Sequence, residues 1–208
     1  YIEGGTGQNV QAHVVGYSPF TYRLYKQVYD ENGKPLEGVY ADTNGDGIVN
    51  DLDRQLNKSP LPKYIMGFST SLNYKKWTLS TVLRANIGNY VYDNVSSNMA
   101  NRNNILNPVG IVNNAPVDFL NSNFTVNNAL SDYYLYNASF IRMDTLGLTY
   151  NVGKLSPNSS AKLSISGNVQ NVFTITNYHG IDPEIQTGID NRFYPRPRTF
   201  VLGLNVGF

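Results

Sequence analysis

The sequence predicts an all-β protein made of the C-terminal strands of a large antiparallel transmembrane β-barrel with long extracellular loops. Segments of about eleven residues alternate between apolar and small polar side chains, which matches the length and period of a tilted membrane strand. Short turns and long polar loops join these segments. The sequence also ends on an aromatic residue, Phe208, after an alternating strand.

The composition favours strands and polar loops over helices. Charged residues make up only 15% of the 208 residues, whereas 16 Tyr, 9 Phe and 18 Gly are present, and this mixture is typical of sheets and turns. The formal net charge is +1 and the basic residues are scattered, so we expect no nucleic-acid partner. The sequence has no run of about 18 apolar residues, the length that would predict a transmembrane helix.

The residue combinations of common enzymes are missing from the sequence. It contains no Cys and only two His, His13 and His179, which excludes a thiolate site and argues against a zinc site or a catalytic triad. Asp182 and Glu184 could be read as a glycosidase pair, but the intervening Pro183 favours a rigid turn. We therefore expect no enzymatic activity.

The first predicted hairpin extends from Tyr64 to Ile87. Its first arm alternates apolar and small polar residues up to Tyr74, and the pattern resumes at Trp77 after a two-residue turn. Aromatic residues at the ends of the apolar face resemble the interfacial girdles of membrane barrels. A soluble β-sandwich alternates too, so this hairpin alone leaves both structures open. The barrel interpretation predicts that seven apolar side chains face lipid: Phe68, Leu72, Leu79, Leu83, Leu202, Leu204 and Val206.

The last strand favours the barrel over the sandwich. Apolar residues alternate with small or polar ones from Phe200 to Phe208, and a barrel must pair its last strand to close, whereas free termini usually fray. A terminal Phe is also a signal for outer-membrane assembly. Two further strands are predicted around Leu146 and Leu163. Above the first of them Arg142 and Asp144 share the lipid-facing parity, which indicates either a part that projects beyond the membrane or a β-bulge.

The predicted connections are of two kinds. Lys75–Lys76 and Gly153–Ser160 are short turns, whereas Asp30–Lys63, Asp93–Asp132 and Tyr178–Arg196 are long loops. Short turns of such barrels face the periplasm and long loops face outside. The Asn-rich loop Asp93–Asp132 indicates either disorder or a polar surface for sugar-like or peptide ligands.

Residues 42–53, DTNGDGIVNDLD, have the spacing of an EF-hand calcium loop. Oxygen donors recur at alternate positions, Gly47 stands at the sharp turn, and Asp53 replaces the usual Glu at the twelfth position. No flanking helix pair is predicted, which argues against a calcium sensor, and a dockerin would repeat the loop. We expect Ca²⁺ to staple an extracellular loop; the alternative is a loop ordered by Asx turns that holds only water. The predicted ligands are Asp42, Asn44, Asp46, the carbonyl of Ile48, Asn50 or its water, and Asp53.

The chain resembles the SusC/RagA family of TonB-dependent outer-membrane transporters from about Asp42 to Phe208. Five segments stand in the same order as in that family: DTNGDGIVND, SPLPKYIMGFSTSLNYKKWTLS, ASFIRMDTLGLTY, SGNVQNVFTITNYHGIDPE and YPRPRTFVLGLNVGF. The resemblance implies a bacterial outer-membrane barrel of about 22 strands with an N-terminal plug. It also implies a SusD-like surface lipoprotein as a lid, and TonB-dependent import of oligosaccharides or peptides.

Residues 1–208 would then be the C-terminal part of such a barrel, without the plug, the TonB box and the remaining strands. We count about five membrane strands, or six if Tyr17–Asp30 is included, whereas a closed barrel needs at least about eight. The rest of the barrel, the TonB complex and outer-membrane lipid are therefore expected partners. The alternative function is a secreted, calcium-stabilised β-sandwich that binds carbohydrate or mediates adhesion. A sandwich should carry charges on its solvent face, but the polar faces here consist of Ser, Thr, Asn and Gly.

Overall fold

The computed structural model describes residues 2–3, 9–106, 114–128, 130–191 and 194–207. Two compact units divide the chain. The strand unit consists of Lys63–Ile87, Ser139–Asn177 and Pro195–Phe208, and the loop unit consists of Tyr1–Pro62, Gly88–Ala138 and Tyr178–Tyr194. Within the described ranges, no helix is both long and apolar enough to span a membrane.

The described elements are mainly strands. The strands are β1 (Ile2–Glu3), β2 (Asn9–Ala12), β3 (Thr21–Leu24), β4 (Gln27–Tyr29), β5 (Pro35–Tyr40), β6 (Gln55–Leu56), β7 (Tyr64–Tyr74), β8 (Trp77–Ile87), β9 (Tyr90–Asp93), β10 (Leu135–Asn137), β11 (Phe140–Lys154), β12 (Lys162–Thr176), β13 (Ile189–Asp190) and β14 (Thr199–Gly207). The helices are α1 (Asn94–Met99), α2 (Arg102–Ile105) and α3 (Phe119–Ser122), with 3₁₀ turns at Asp51–Asp53 and Asp132–Tyr134.

The strand unit is one antiparallel sheet with the order β14-β12-β11-β8-β7. β7 and β8 pair without interruption from Tyr64 opposite Ile87 to Tyr74 opposite Trp77, so the predicted hairpin and its two-residue turn are confirmed. Each arm is 11 residues long, enough for a tilted strand to cross the hydrocarbon core. β14 pairs with β12 up to Gly207, while Phe208 lies outside the described residues.

The register separates an apolar face from a polar face across the whole sheet. Leu79 lies opposite Leu72 on one side and Leu148 on the other, and Leu204 lies opposite Ile165. Phe68 is 61% exposed and Leu204 is 76% exposed, so these side chains do not fill a globular core. The opposite face carries small residues such as Ser80 beside Gly147. This arrangement is the one expected of a barrel wall between lipid and lumen.

A β-bulge resolves the broken alternation of β11. Met143 lies opposite Leu83 and Thr145 opposite Val82, so that Asp144 is the extra residue between them. The bulge returns Arg142 to the polar face, directly opposite Arg84. Of the two interpretations that the sequence left open, the bulge is confirmed.

The long connections of the sheet all start or finish at the same end of its strands. β7 begins there, β8 ends there, and the antiparallel order places the start of β11, the end of β12 and the start of β14 at that end as well. The opposite end holds the turn Lys75–Lys76, the turn between Lys154 and Lys162, and Gly207 at the end of β14. The predicted contrast between short turns and long loops is therefore present.

The loop unit has its own sheets and its own core. β1, β2, β3 and β6 form one sheet, β10, β9 and β13 form another, and β4 pairs with β5. The segment Tyr17–Asp30, considered as a sixth membrane strand, instead forms the short strands β3 and β4. The loop Asp93–Asp132 contains the helices α1, α2 and α3 in its described part. The main core cluster consists of Val10, Tyr22, Leu24, Tyr92, Phe124, Tyr134 and Ile189.

Candidate functional site

The candidate calcium loop, residues 42–53, connects β5 to β6 within the loop unit. The carboxylate of Asp42 accepts hydrogen bonds from the backbone N–H groups of Gly45 and Gly47, both at 2.7 Å. Gly45 and Gly47 have φ values of 77° and 82°, which residues with a Cβ rarely adopt. These two glycines allow the chain to wrap around the first carboxylate of the loop.

Asp53 closes the loop from its other end. Its Oδ1 accepts from the N–H of Thr43 and its Oδ2 from the N–H of Asn50, both at 2.8 Å, and the side chain is 0% exposed. These backbone hydrogen bonds, first the one from Asn50 and then the one from Thr43, lower the pKa of the Asp53 carboxyl below its usual value. The twelfth residue of the loop thus lies against the second, and it is ionised at neutral pH.

The remaining predicted ligands take part in short-range turns. Asn44 Oδ1 accepts from the N–H of Asp46 at 2.9 Å, and Asp46 Oδ1 accepts from the N–H of Ile48 at 2.8 Å. Asn50 Nδ2 donates to the carbonyl of Ile48 at 3.2 Å. These are the Asx turns of the alternative interpretation, and in the described part of the chain no three His, Cys, Asp or Glu residues are grouped so that they could hold a metal ion. The calcium site stays a prediction.

Asp51 makes structural contacts that the sequence interpretation missed. Its carboxylate pairs with Arg23 Nη2 at 2.7 Å and with Arg54 Nη1 at 3.0 Å. The hydrogen bond from Arg23 is the main cause that lowers the pKa of Asp51. Since Arg23 belongs to β3 and Arg54 precedes β6, this pair of contacts ties the candidate calcium loop to the sheet of the loop unit. The only local sign of these contacts in the sequence is the spacing of Asp51 and Arg54, which are three residues apart.

A charged cluster lies on the polar face of the strand unit. Arg84 Nε donates to Asp144 Oδ2 at 2.6 Å, and Arg142 Nε donates to Thr174 Oγ1 at 2.9 Å. Both guanidinium groups lie near the ring of Phe140, at 5.8 Å and 5.2 Å from its centroid. Arg142 is only 3% exposed. Small and uncharged side chains such as Ser71, Ser80 and Gly147 lie on the same face nearer to the short turns.

The long loops are organised by buried tyrosines. Tyr22 donates from its hydroxyl to the carbonyls of Gly188 at 2.6 Å and Tyr90 at 3.0 Å. Tyr178 donates to Asp190 Oδ2 at 2.7 Å. Burial raises the pKa of Tyr22, Tyr92 and Tyr178 well above that of a free tyrosine. Tyr22 and Tyr178 are therefore structural hydrogen-bond donors in the loop unit.

The histidines and the Asp182–Glu184 pair lie in loop positions. His13 packs edge to face on Phe20 at 4.7 Å, and His179 does so on Tyr136 at 5.8 Å. Asp182 Oδ1 accepts from the N–H of Glu184 at 2.8 Å, which is the turn that the sequence favoured over a glycosidase pair.

Comparison with known proteins supports the barrel. No protein-family model matches the chain. The TonB-dependent receptor SusC of Bacteroides thetaiotaomicron is 37% identical over 216 residues, which cover 100% of this chain and 21% of SusC. The TonB-dependent receptor P26 of Formosa agariphila is 31% identical over 198 residues, 81% of this chain and 19% of that receptor. The chain thus spans about a fifth of the length of the curated relatives it matches.

Solved structures show the same fold. The RagAB peptide importer in its open-open state aligns with a TM-score of 0.73 and 21% identity, and the alignment covers 100% of this chain and 24% of that chain. The closed-closed state aligns with a TM-score of 0.65 over 91% of this chain and 23% of that chain. The chain therefore belongs to the SusC/RagA family of TonB-dependent receptors, and its five-stranded sheet is part of a bacterial outer-membrane β-barrel.

Proposed function

We propose that the receptor containing this chain imports a nutrient, either an oligosaccharide or a peptide, across the outer membrane with energy delivered through TonB. The 37% identity to the TonB-dependent receptor SusC supports the energy source. The fold shared with the RagAB peptide importer supports import as the activity. TonB would act through parts of the receptor outside residues 1–208.

The observation that carries this proposal is the contrast between the two faces of the sheet. Leu72, Leu79 and Leu148 form a continuous apolar row, and Ser71, Ser80 and Gly147 form the row behind it. A wall with lipid on one side and a polar lining of mostly small side chains on the other suits a lumen through which a hydrated solute passes. A β-sandwich would instead cover its apolar face with a second sheet. The described residues place no second sheet within the strand unit.

Uptake by intact cells tests the proposal. Cells that carry the full receptor should accumulate members of a labelled oligosaccharide pool or of a labelled peptide pool. Deletion of the receptor gene, or of TonB, should each abolish that accumulation. The pool that is taken up identifies the nutrient class, and equal uptake of both pools with and without the receptor would refute import.

We also propose that a SusD-like surface lipoprotein closes over the extracellular side of the receptor. The loop unit supports this partner because it is an ordered structure with a tyrosine core and not a set of separate loops. An ordered loop surface can hold a protein lid in a defined position. Affinity purification of the full receptor from outer membranes should recover a surface lipoprotein at about equal molar amount. Purification of the receptor alone would contradict this part of the proposal.

Calcium binding by residues 42–53 is proposed as a staple of the loop unit. The donors are all oxygens, from three carboxylates, two amides and one carbonyl, and this is the set that Ca²⁺ prefers. Asp53 holds the two ends of the loop together through Thr43, and the left-handed Gly47 turns the chain at the sixth position. Asp53 Oδ1 is occupied by the N–H groups of Thr43 and Asn44. Asp53 Oδ2, both Asp42 oxygens and Asp46 Oδ1 each accept one backbone hydrogen bond, and a second lone pair on each could bind a metal ion.

A further inference from the structure

A lysine–aromatic cluster lies at the short-turn end of the sheet, and we infer that it binds the headgroup of an anionic phospholipid. The cluster consists of Lys75 and Lys76 in the β7–β8 turn together with Tyr74, Trp77 and Tyr150. The inference rests on the barrel assignment and not on import activity. Its failure would therefore leave the proposed function intact.

The side-chain contacts place both ammonium groups on the apolar face of the sheet. Lys75 Nζ lies 5.3 Å from the ring centroid of Tyr74, and Lys76 Nζ lies 5.9 Å from that of Tyr150. Tyr74 lies opposite Trp77, and Trp77 lies opposite Tyr150, so the three rings share the face of Leu72 and Leu79. That face is the lipid-facing one in a barrel, and Trp and Tyr rings are enriched at the headgroup level.

No carboxylate neutralises this cluster among the described residues. Arg23, Arg54 and Arg84 form ion pairs with aspartates, whereas the polar contact of Lys76 Nζ is a hydrogen bond donated to the neutral carbonyl of Val152 at 3.2 Å. Asp144 is the only acidic residue in the sequence of the strand unit, and it already pairs with Arg84. The basic residues of the strand unit are Lys63, Lys75, Lys76, Arg84, Arg142, Lys154, Lys162, Arg196 and Arg198.

The two lysines are an unfavourable choice for the stability of this turn, which suggests that they are present to bind a ligand. Lys75 adopts a φ of 54°, a left-handed conformation that costs an L-residue about 1–2 kcal/mol. Two-residue hairpin turns are usually Asn-Gly or Asp-Gly, and adjacent ammonium groups repel each other. Both lysines are exposed. A phosphate between them would offset the repulsion, while the rings border its glycerol and acyl region.

A second lysine pair at the same end provides a matched control. Lys154 lies directly opposite Lys162 at the ends of β11 and β12. Lys162 is two residues before Ser164 and shares its polar, lumen-side face, and a register shift between Asn151 and Gly153 brings Lys154 to the same face. Removing this pair changes the net charge of the same sheet end by the same amount without touching the lipid-facing cluster.

The test is lipid binding to the delipidated full-length receptor in neutral detergent, followed by native mass spectrometry. Phosphatidylglycerol and phosphatidylcholine with identical acyl chains serve as probes. We expect preferential retention of phosphatidylglycerol, and a loss of affinity in K75Q/K76Q of roughly fivefold for each lysine, as found for lysines near anionic surfaces. K154Q/K162Q should bind phosphatidylglycerol like the wild type. Inorganic phosphate at the same concentration should not compete.

Several results would overturn the inference. Equal losses in K75Q/K76Q and K154Q/K162Q would show a general charge effect. Competition by inorganic phosphate would identify a free-anion site. Unchanged lipid binding in K75Q/K76Q, combined with loss of a cross-link to a periplasmic protein, would assign the lysines to a protein contact. Thermal unfolding of each variant at the wild-type temperature confirms that the barrel is intact. Tyr74→Ala keeps both positive charges and should still weaken phosphatidylglycerol binding, because it removes one of the rings of the cluster.

Discussion

Arg84 and Arg142 lie directly opposite each other on β8 and β11, and the carboxylate that bonds the Arg84 guanidinium comes from Asp144, the extra residue of the adjacent β-bulge. Two like charges at opposing positions of an antiparallel pair destabilise a sheet. The bulge corrects the side-chain alternation of β11 and also supplies the one carboxylate that this position needs. Asp144 therefore restores the side-chain alternation of β11 and also supplies the carboxylate that pairs with Arg84.

The first prediction concerns this carboxylate. Asp144→Ala removes the carboxylate that accepts the hydrogen bond of Arg84, so the positive charges of Arg84 and Arg142 face each other without it. We therefore expect the free energy of unfolding to fall by about 1–3 kcal/mol. Arg84→Gln in the same background should remove most of that loss, because the like-charge pair disappears with it. Thermal unfolding of the two single variants and the double variant measures the coupling. Strictly additive losses would show that Asp144 does not act through Arg84.

The strand unit was largely predictable from sequence because its signal is local. The alternation in β7 and β8 repeats every second residue, so the period alone assigns Leu72 and Leu79 to one face. For the break in alternation at Asp144, the sequence left two structures open: a β-bulge or a part of the strand that projects beyond the membrane. A break in alternation shows that pairing is irregular but not where the extra residue lies.

The loop unit was not predictable in the same way. Tyr22 donates a hydrogen bond to the carbonyl of Gly188, and Arg23 forms an ion pair with Asp51. Neither contact produces a periodic pattern in the sequence. Short strands such as β3 and β4 obtain their stability from this tertiary packing and not from propensity. The segment Tyr17–Asp30 therefore has the composition of a strand but does not form a membrane strand.

The second prediction tests the two faces of β14. Leu204→Arg places a charge on the lipid-facing side and should cost about 2–4 kcal/mol if the residue lies near the midplane of the bilayer, and much less near an interface. Asn205→Arg is the matched control, because Asn205 lies opposite Ser164 on the lumen side and should tolerate the charge. The full receptor should be unfolded in lipid vesicles to compare the two variants. A larger loss for Asn205→Arg would reverse the assignment of the faces.

The third prediction concerns the pH dependence of the candidate calcium loop. The pKa of Asp53 is lowered by backbone N–H groups in the folded loop, so its ionised form stabilises the loop. This contribution is fully present above the unfolded pKa of about 3.9 and is lost as pH falls through the lower folded pKa. The protection of residues 42–53 against hydrogen exchange in the full receptor, measured relative to the intrinsic exchange rate at each pH, should therefore fall only at strongly acidic pH.

Asp53→Asn is the control for this pH dependence. The amide keeps the size of the side chain but has no charge, and one of its two polar atoms is a donor that cannot accept from Asn50 or Thr43. We expect fast exchange of residues 42–53 at neutral pH in this variant, with little further change on acidification. Retention of the wild-type acid transition in Asp53→Asn would assign the transition to another group.

The fourth prediction is that residues 42–53 bind Ca²⁺ with oxygen distances of about 2.3–2.6 Å. Asp42, Asp46 and Asp53 bring three negative charges to one short loop, and their repulsion falls when a divalent cation binds. Affinity should lie in the range of extracellular modules, with a Kd of about 10⁻⁴–10⁻³ M. Isothermal titration of the full receptor with Ca²⁺, after treatment with a chelator, measures it.

Two sets of variants separate metal binding from the structural role of Asp53, which caps the turn even without a metal. Asp46→Ala should abolish Ca²⁺ binding while the hydrogen bonds of Asp53 stay in place. The double variant Asp46→Ala with Asp53→Ala should also loosen the loop 30–63 and weaken binding of the lid lipoprotein. Asp51→Asn is the matched control: it removes a neighbouring carboxylate that pairs with Arg23 and Arg54 but is not a predicted ligand. It should therefore keep Ca²⁺ binding. Equal Ca²⁺ binding in Asp46→Ala and the wild type would refute the metal site, whereas unchanged lid affinity in the double variant would refute only its role in docking.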